Sequence, residues 1–393
     1  MKHLFSPVLL LLAMVVSSCR TGLLETGLVR IPVNRSSTSQ QAQDLFKIDG
    51  FTALETGDAI DLRGISKVLF KDETVVVLNY VGDKQDVWVF DQHTGKVRNK
   101  IGSQSNEPNG YEGLNDILLD EDQIRCSVAG KMAFFNYDLG GNLLSKTQSG
   151  VFGEEVERAS DGSYVVYNEY NSTKISGLNH ILLYDRSGNL TKRLYPYLET
   201  QDGNGYAFAG SLTASDGIWF NPPFCDTLFE VRKDEMVAQY HFDFGQKAMP
   251  ENVRQQKMTG WDTERYAFLG EGLAKVGKFL VFEYAEDQKV NLGVFDETTG
   301  QFVSFRDLKE DHLFELLQVG DIFPKDQNSF ALLLRPSRIQ YMLKQKQLNL
   351  DAISKEYPDL AQALNLVELS NSPVILYLSF VPGARIDKAS EKR

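Results

Sequence analysis

The residues best suited to chemistry in this chain are carboxylates and amides at the starts of β-rich runs. Asn115, Asp116, Glu154, Glu155, Arg158 and Asp321 stand in such places. Oxygen donors suit hard divalent cations such as Ca²⁺ or Mg²⁺, so Asp116, Glu155 and Asp321 are the candidate metal ligands. The competing expectation is a solvated polar channel with no cofactor. A second group is aromatic: Tyr111, Tyr206, Phe208, Trp219, Phe224 and Trp261 lie in or beside long connections. Rings there stack on sugars or pack on peptide side chains, or else they fill gaps between packed sheets. Other chemistry is thin. His93, His180, His241 and His312 lie far apart, without metal-type spacing, and there is no G-x-S-x-G elbow. Cys126 and Cys225 lack the spacing of a metal site, and a disulfide between them is left open. No catalytic residue is assigned, and the reading leans against an enzyme.

The elements that would position these residues repeat along the chain. Short polar turns recur six times: 71–73, 120–122, 160–162, 215–217, 276–278 and 325–327. Each precedes a β-branched or aromatic run, such as TVVVLNY, SYVVYN or FLVFEY. Asp and Gly suit tight hairpins because Gly accepts positive φ and Asp bonds its own backbone. A second turn follows an aromatic-Asp pair, as at Phe90-Asp91, Tyr137-Asp138, Tyr184-Asp185 and Phe295-Asp296. Four strands per unit, repeated six times, predict an all-β fold: a six-bladed β-propeller of four-stranded antiparallel blades. A short helical insertion is expected in the last blade, where Leu360, Leu364 and Val367 follow Pro358-Asp359 at helical spacing, and Ile339, Met342 and Leu343 suggest another helix before it. That blade lacks a fourth strand, which Leu45–Leu54 could supply. The propeller is expected over 44–386, with a polar tail at 387–393.

The N-terminus addresses the compartment. Lys2 and His3 precede an apolar run, Val8–Val16, too short to span a bilayer. The run ends in Val16-Ser17-Ser18-Cys19, which resembles a bacterial lipobox. Residues 1–18 are then a signal peptide, Cys19 carries lipid (palmitate-type acyl chains), and 19–43 form a tether in which 28–33 could be a strand. Multiply acylated Cys anchors firmly. Lys and Arg total 41 against 53 Asp and Glu, a formal charge of −12. With no basic block, nucleic acid is excluded as a partner.

Four stretches carry a family resemblance: Leu54-Glu55-Thr56; the loop from Ile101-Gly102 to Gly110-Tyr111; Asp226-Thr227-Leu228-Phe229 with Tyr240-His241-Phe242-Asp243-Phe244-Gly245; and Asn371-Ser372-Pro373-Val374. Together they resemble the TolB-like six-bladed β-propeller lipoproteins of Bacteroides-type bacteria. The Gly102 loop departs from that pattern, with Asn106 and Glu107 before Pro108 and a Gly missing. The resemblance implies a fold and an envelope location, and carries no activity onto particular residues.

The function expected is therefore a lipid-anchored envelope protein that binds or scaffolds without catalysis, its partner a glycan, a peptide or another envelope protein. The alternative is a metal-dependent hydrolase or lyase using axial carboxylates. The absence of an acidic stretch after Cys19 favours a periplasm-facing anchor over the cell surface.

Overall fold

A computed structural model describes residues 27–33, 40–57, 60–105, 110–111, 113–203, 210–254, 264–318 and 320–387. The protein is all-β, built of four-stranded antiparallel sheets with few helices.

Among the described residues there are six sheets. Sheet I holds β3 (Ile65–Lys71), β4 (Thr74–Val81), β5 (Lys84–Asp91) and β6 (Val97–Ile101). Sheet II holds β7 (Leu114–Asp120), β8 (Gln123–Val128), β9 (Ala133–Asp138) and β10 (Leu143–Gln148). Sheet III holds β11 (Glu155–Arg158), β12 (Tyr164–Tyr167), β13 (Asn179–Tyr184) and β14 (Leu190–Pro196). Sheet IV holds β15 (Ser211–Ala214), β16 (Ile218–Asn221), β17 (Thr227–Val231) and β18 (Met236–Phe242). Sheet V holds β19 (Phe268–Val276), β20 (Phe279–Glu286), β21 (Lys289–Asp296) and β22 (Gln301–Ser304). Sheet VI joins β23 (Gly320–Asp326), β24 (Ser329–Leu334) and β25 (Val374–Phe380) to β2 (Phe46–Ala53).

The expected turns stand where the strands reverse. Asp72, Glu121 and Asp216 hold φ of 49°, 55° and 48° between first and second strands, the left-handed geometry that tight hairpins need. The runs between them are buried at consecutive positions, through Asn79 in β4 and along all of β24. A sheet packed on both faces needs apolar residues at every position rather than at alternate ones.

Sheet VI ties the two ends of the chain together. β2 pairs antiparallel with β25, Phe46 opposite Phe380 and Ala53 opposite Val374. The Phe46 ring meets Phe305, Phe330 and Phe380 at centroid distances of 5.2, 5.9 and 4.9 Å. Between β24 and β25 lie α1 (Pro336–Lys344), α2 (Leu350–Glu356) and α3 (Pro358–Ser370). The helical insertion thus has three helices; α2 was not expected. Its capping signal, Asn349 accepting from the Ala352 amide at 3.0 Å, precedes too short an apolar pattern.

The segment expected as a tether is partly folded. β1 (Val29–Ile31) adds a fifth strand to sheet IV, parallel to β18, and Ala42 and Leu45 are buried in the core shared by sheets V and VI. The lipobox with Cys19 lies outside the described residues. At the other end, the Asp387 amide donates to Gln40 Oε1 at 3.0 Å. Among the described residues no helix is long and apolar enough to cross a membrane. Cys126 and Cys225 are both buried and not in a disulfide.

Candidate functional site

The first strands of the sheets make a continuous series of neighbours: β3 lies against β7, β7 against β11, β11 against β15, β15 against β19, β19 against β23, and β23 against β3. At every junction a side chain of one sheet grips the backbone at the start of the next first strand. Tyr80 donates to Asn115 O at 2.6 Å, and Gln85 accepts from Leu114 N at 2.7 Å. Asp116 accepts from Val156 N at 2.7 Å, and Glu155 from Leu212 N. Asn221 donates to Gly270 O at 3.0 Å, and Glu283 accepts from Ile322 N at 3.2 Å. Arg335 completes the circuit by donating to Ile65 O at 2.8 Å. Each contact satisfies a backbone group that sheet pairing leaves over, at a place where an unpaired group would be costly.

Part of this circuit is ionic. Lys67 Nζ lies 2.8 Å from Asp116 Oδ2 and 2.9 Å from Glu157 Oε1. Burial works to lower the Lys67 pKa, but the two carboxylates outweigh it and raise it. Burial raises the Asp116 and Glu157 pKa values, with Lys67 opposing. Lys67 is thus a fixed cation where a divalent ion would otherwise neutralise these carboxylates.

Around the starts of β11, β19 and β23 the carboxylates are crowded. Glu154 accepts from Asn115 at 3.0 Å and Asn171 at 3.1 Å. Burial, and then Glu154 and Glu271, push Glu169 up to about 7. Burial, and then Asp321, push Glu283 to about 7, against the Ile322 and Gly272 amides that favour its charged form. Burial, and then Asp116, raise Glu154 and carry Glu155 well above the ordinary range. Such shifts mark groups held close together with water partly excluded.

The three candidate metal ligands do not form a ligand set. Asp116 is held by Lys67, Glu155 by the Leu212 amide, and Asp321 by Arg335 at 2.5 Å and Arg338 at 3.4 Å. Among the described residues no group of three or more His, Cys, Asp or Glu side chains could hold a metal ion. Arg158, expected beside them, turns instead to Asp120 at 2.8 Å and Glu121 at 3.7 Å, at the far end of β11. The aromatic candidates divide. Tyr111, Trp219 and Phe224 are 0, 5 and 7% exposed. Tyr111 packs in the core between sheets I and II, Trp219 in the core of sheets IV and V, and Phe224 edge-on to Phe268. They therefore fill space rather than face solvent. Tyr206, Phe208 and Trp261 lie outside the described residues.

Sequence reading missed Lys67, Glu157, Glu169, Glu271 and Glu283. Each sits in or beside a strand where a single charged residue reads as solvent-facing. The stretches that carried the resemblance prove to be joints. Leu54 N donates to Pro373 O at 3.0 Å, and Thr56 Oγ1 lies 3.3 Å from Ser372 Oγ. Gly102, at φ 58°, sits against Tyr111 and Tyr137, where an added Cβ would come within 3.1 Å of both rings.

Among solved structures, a protein described as exported, from Bacteroides fragilis, superposes with a TM-score of 0.70 at 14% identity, over 92% of this chain and 100% of its own. A member of the DUF4221 family from Bacteroides vulgatus gives 0.50 at 9% identity, over 86% of this chain and 99% of its own. These likenesses concern the fold. No curated protein matches the chain. The model of a domain of unknown function, DUF4934, matches residues 28–378, and the chain belongs to that family.

Proposed function

We propose that this protein is a six-bladed β-propeller of the TolB-like kind, anchored to the cell envelope through lipid on Cys19, which binds a partner without catalysis. The observation that carries the reading is the circuit of clasps from sheet I through sheet VI and back. A disc so closed is rigid, and rigid scaffolds commonly present function on loops at one face. In a propeller the turns between first and second strands share a face with those between third and fourth; here these are short. The long connections, including the insert at 335–373, share the opposite face with the crowded carboxylates. The ligand is a glycan, a peptide or an envelope protein.

The course of β1 supports an orientation. It runs parallel to β18, with Val29 opposite Tyr240 and Ile31 opposite Phe242, so the chain before Val29 departs toward the short-turn face. About ten residues separate Cys19 from that point, a reach of at most about 35 Å. The long-loop face then looks away from the membrane. We place the anchor on the periplasmic side, and protease added to intact cells is expected to leave the protein whole.

The test is a thermal-shift screen against envelope glycans, peptides and divalent cations, since binding to the folded state raises the melting temperature by mass action. A hit lost on alanine substitution in 335–373 or 168–178 supports the reading. A ligand whose affinity survives all long-loop substitutions overturns it.

A further inference from the structure

A cavity of about 480 Å³ lies at the seam where sheet VI meets sheet I, within the size range of small-ligand sites. Its wall comes from three connections: the segment between β2 and β3, the end of β24 as it runs into α1, and the residue that ends α3. Two of the stretches that carried the resemblance meet here. Thr56 and Asn371 line the cavity, and beside them Leu54 N donates to Pro373 O at 3.0 Å and Thr56 Oγ1 stands 3.3 Å from Ser372 Oγ.

Charge in the wall is already compensated. Arg63 Nη2 lies 2.6 Å from Asp61 Oδ2, and its Nε reaches the two oxygens of the same carboxylate at 2.9 and 3.0 Å. Arg335 Nε holds Asp321, while its two Nη atoms donate to Arg63 O at 3.3 Å and Ile65 O at 2.8 Å. With each guanidinium facing a carboxylate, the cavity favours neither a free anion nor a free cation.

Two neutral amides in the wall have fixed orientations. Gln340 Nε2 donates to Val367 O at 3.2 Å and to Asn371 Oδ1 at 3.0 Å. A backbone carbonyl only accepts, so the Gln340 amide nitrogen must face Val367, and Asn371 must then turn its oxygen to Gln340. That leaves one acceptor, Gln340 Oε1, and one donor, Asn371 Nδ2, neither bonded to another described residue. Ile60, Leu62 and Pro336 supply an aliphatic part of the same wall, Leu62 and Pro336 being buried.

We infer that this seam cavity receives a peptide segment: its main-chain N–H donates to Gln340 Oε1, its C=O accepts from Asn371 Nδ2, and an aliphatic side chain packs on Ile60, Leu62 and Pro336. Each peptide unit carries one donor and one acceptor, which matches the pair that the two amides present. A sugar also donates and accepts, but it stacks on rings, and among the described residues no aromatic side chain lines the cavity. This inference rests on the binding reading above and selects the peptide from its ligands. Because Thr56 and Asn371 come from opposite ends of the chain, an occupied cavity also braces the closure of sheet VI onto sheet I.

The test is titration by saturation-transfer NMR of the full-length chain in detergent, with N-acetyl-Ala-Leu-Ala-amide, maltose and acetate as probes. The capped peptide is expected to bind, and to bind the Gln340→Ala/Asn371→Gly variant about tenfold more weakly, for the loss of two neutral hydrogen bonds. Gly at position 371 keeps the left-handed backbone, φ 51°, on which α3 ends. Ser337→Trp, which places a large ring at the cavity from an exposed helix position, is expected to abolish binding. Leu144→Ala, exposed on β10 of sheet II, is expected to leave it unchanged. Melting temperatures of all three variants show that weaker binding is not loss of fold. Equal binding by the double variant, maltose or acetate binding in place of the peptide, or no response to any probe overturns the inference. A ligand from the thermal-shift screen that binds the native chain and Ser337→Trp alike, with no peptide response, overturns it and leaves the binding reading standing.

Discussion

Lys67 and Glu157 stand on strands that do not adjoin, with β7 between them, yet their charged groups are 2.9 Å apart. Lys67 reaches across sheet II's first strand and holds Asp116 on the way. Three sheets are thereby joined at one buried nitrogen. Removing one partner from a buried ion network leaves the others uncompensated, at a cost of about 3–5 kcal/mol. Lys67→Met is expected to lose about that much in urea denaturation. Replacing Lys67, Asp116 and Glu157 together by apolar residues is expected to recover most of it.

The crowded carboxylates make stability depend on pH. Glu169 titrates at about 7 in the fold against an ordinary value near 4.5, so the folded state binds its proton more tightly than the unfolded chain. Stability therefore rises as pH falls from above 7 toward 4.5. His180 works in the opposite sense: burial lowers it to about 3, so it stays neutral in the fold, and stability is lost as pH falls from 6.5 toward 3. A melting-temperature maximum between about pH 5 and 6.5 is expected from these opposing slopes. Glu169→Gln is expected to raise stability at pH 8 by about 1–2 kcal/mol and to change little at pH 5.

Closure of sheet VI depends on Phe46. Its ring lies among Phe305, Phe330 and Phe380, and the backbone of its strand completes the sheet. Phe46→Ala is expected to cost about 3–5 kcal/mol, from lost burial and the cavity left behind. Limited proteolysis of that variant is expected to cut first near residue 46, because the strand that ties the two ends is the one loosened.

Glu121 offers the reverse effect. It occupies φ 55° in the hairpin between β7 and β8, where a Cβ costs about 1–2 kcal/mol. Its ion pair with Arg158, at 3.7 Å with Glu121 exposed, returns about 0–1 kcal/mol. Glu121→Gly is expected to stabilise the fold by about 0.5–1 kcal/mol in thermal unfolding.

The strands, the hairpins and their repetition were legible in the sequence because they rest on local physics. Asp and Gly suit left-handed turns, as at Asp72 and Gly162, and runs such as β4 announce burial on both faces. The closing strand was readable too, since the last unit lacked a partner that Phe46–Ala53 could provide. What the tertiary structure alone decided is which side chains meet at the strand starts. Lys67 finds partners 49 and 90 positions away, and nothing near it in sequence distinguishes it from a solvated lysine on an ordinary strand. Tyr111 and Trp219 read as ligand contacts or, more readily, as filling between sheets, and packing shows them buried. Local sequence dictates backbone conformation, because steric and hydrogen-bonding preferences act over a few residues. The pairing of charges across sheets depends on how distant strands are brought together, and that belongs to the fold as a whole.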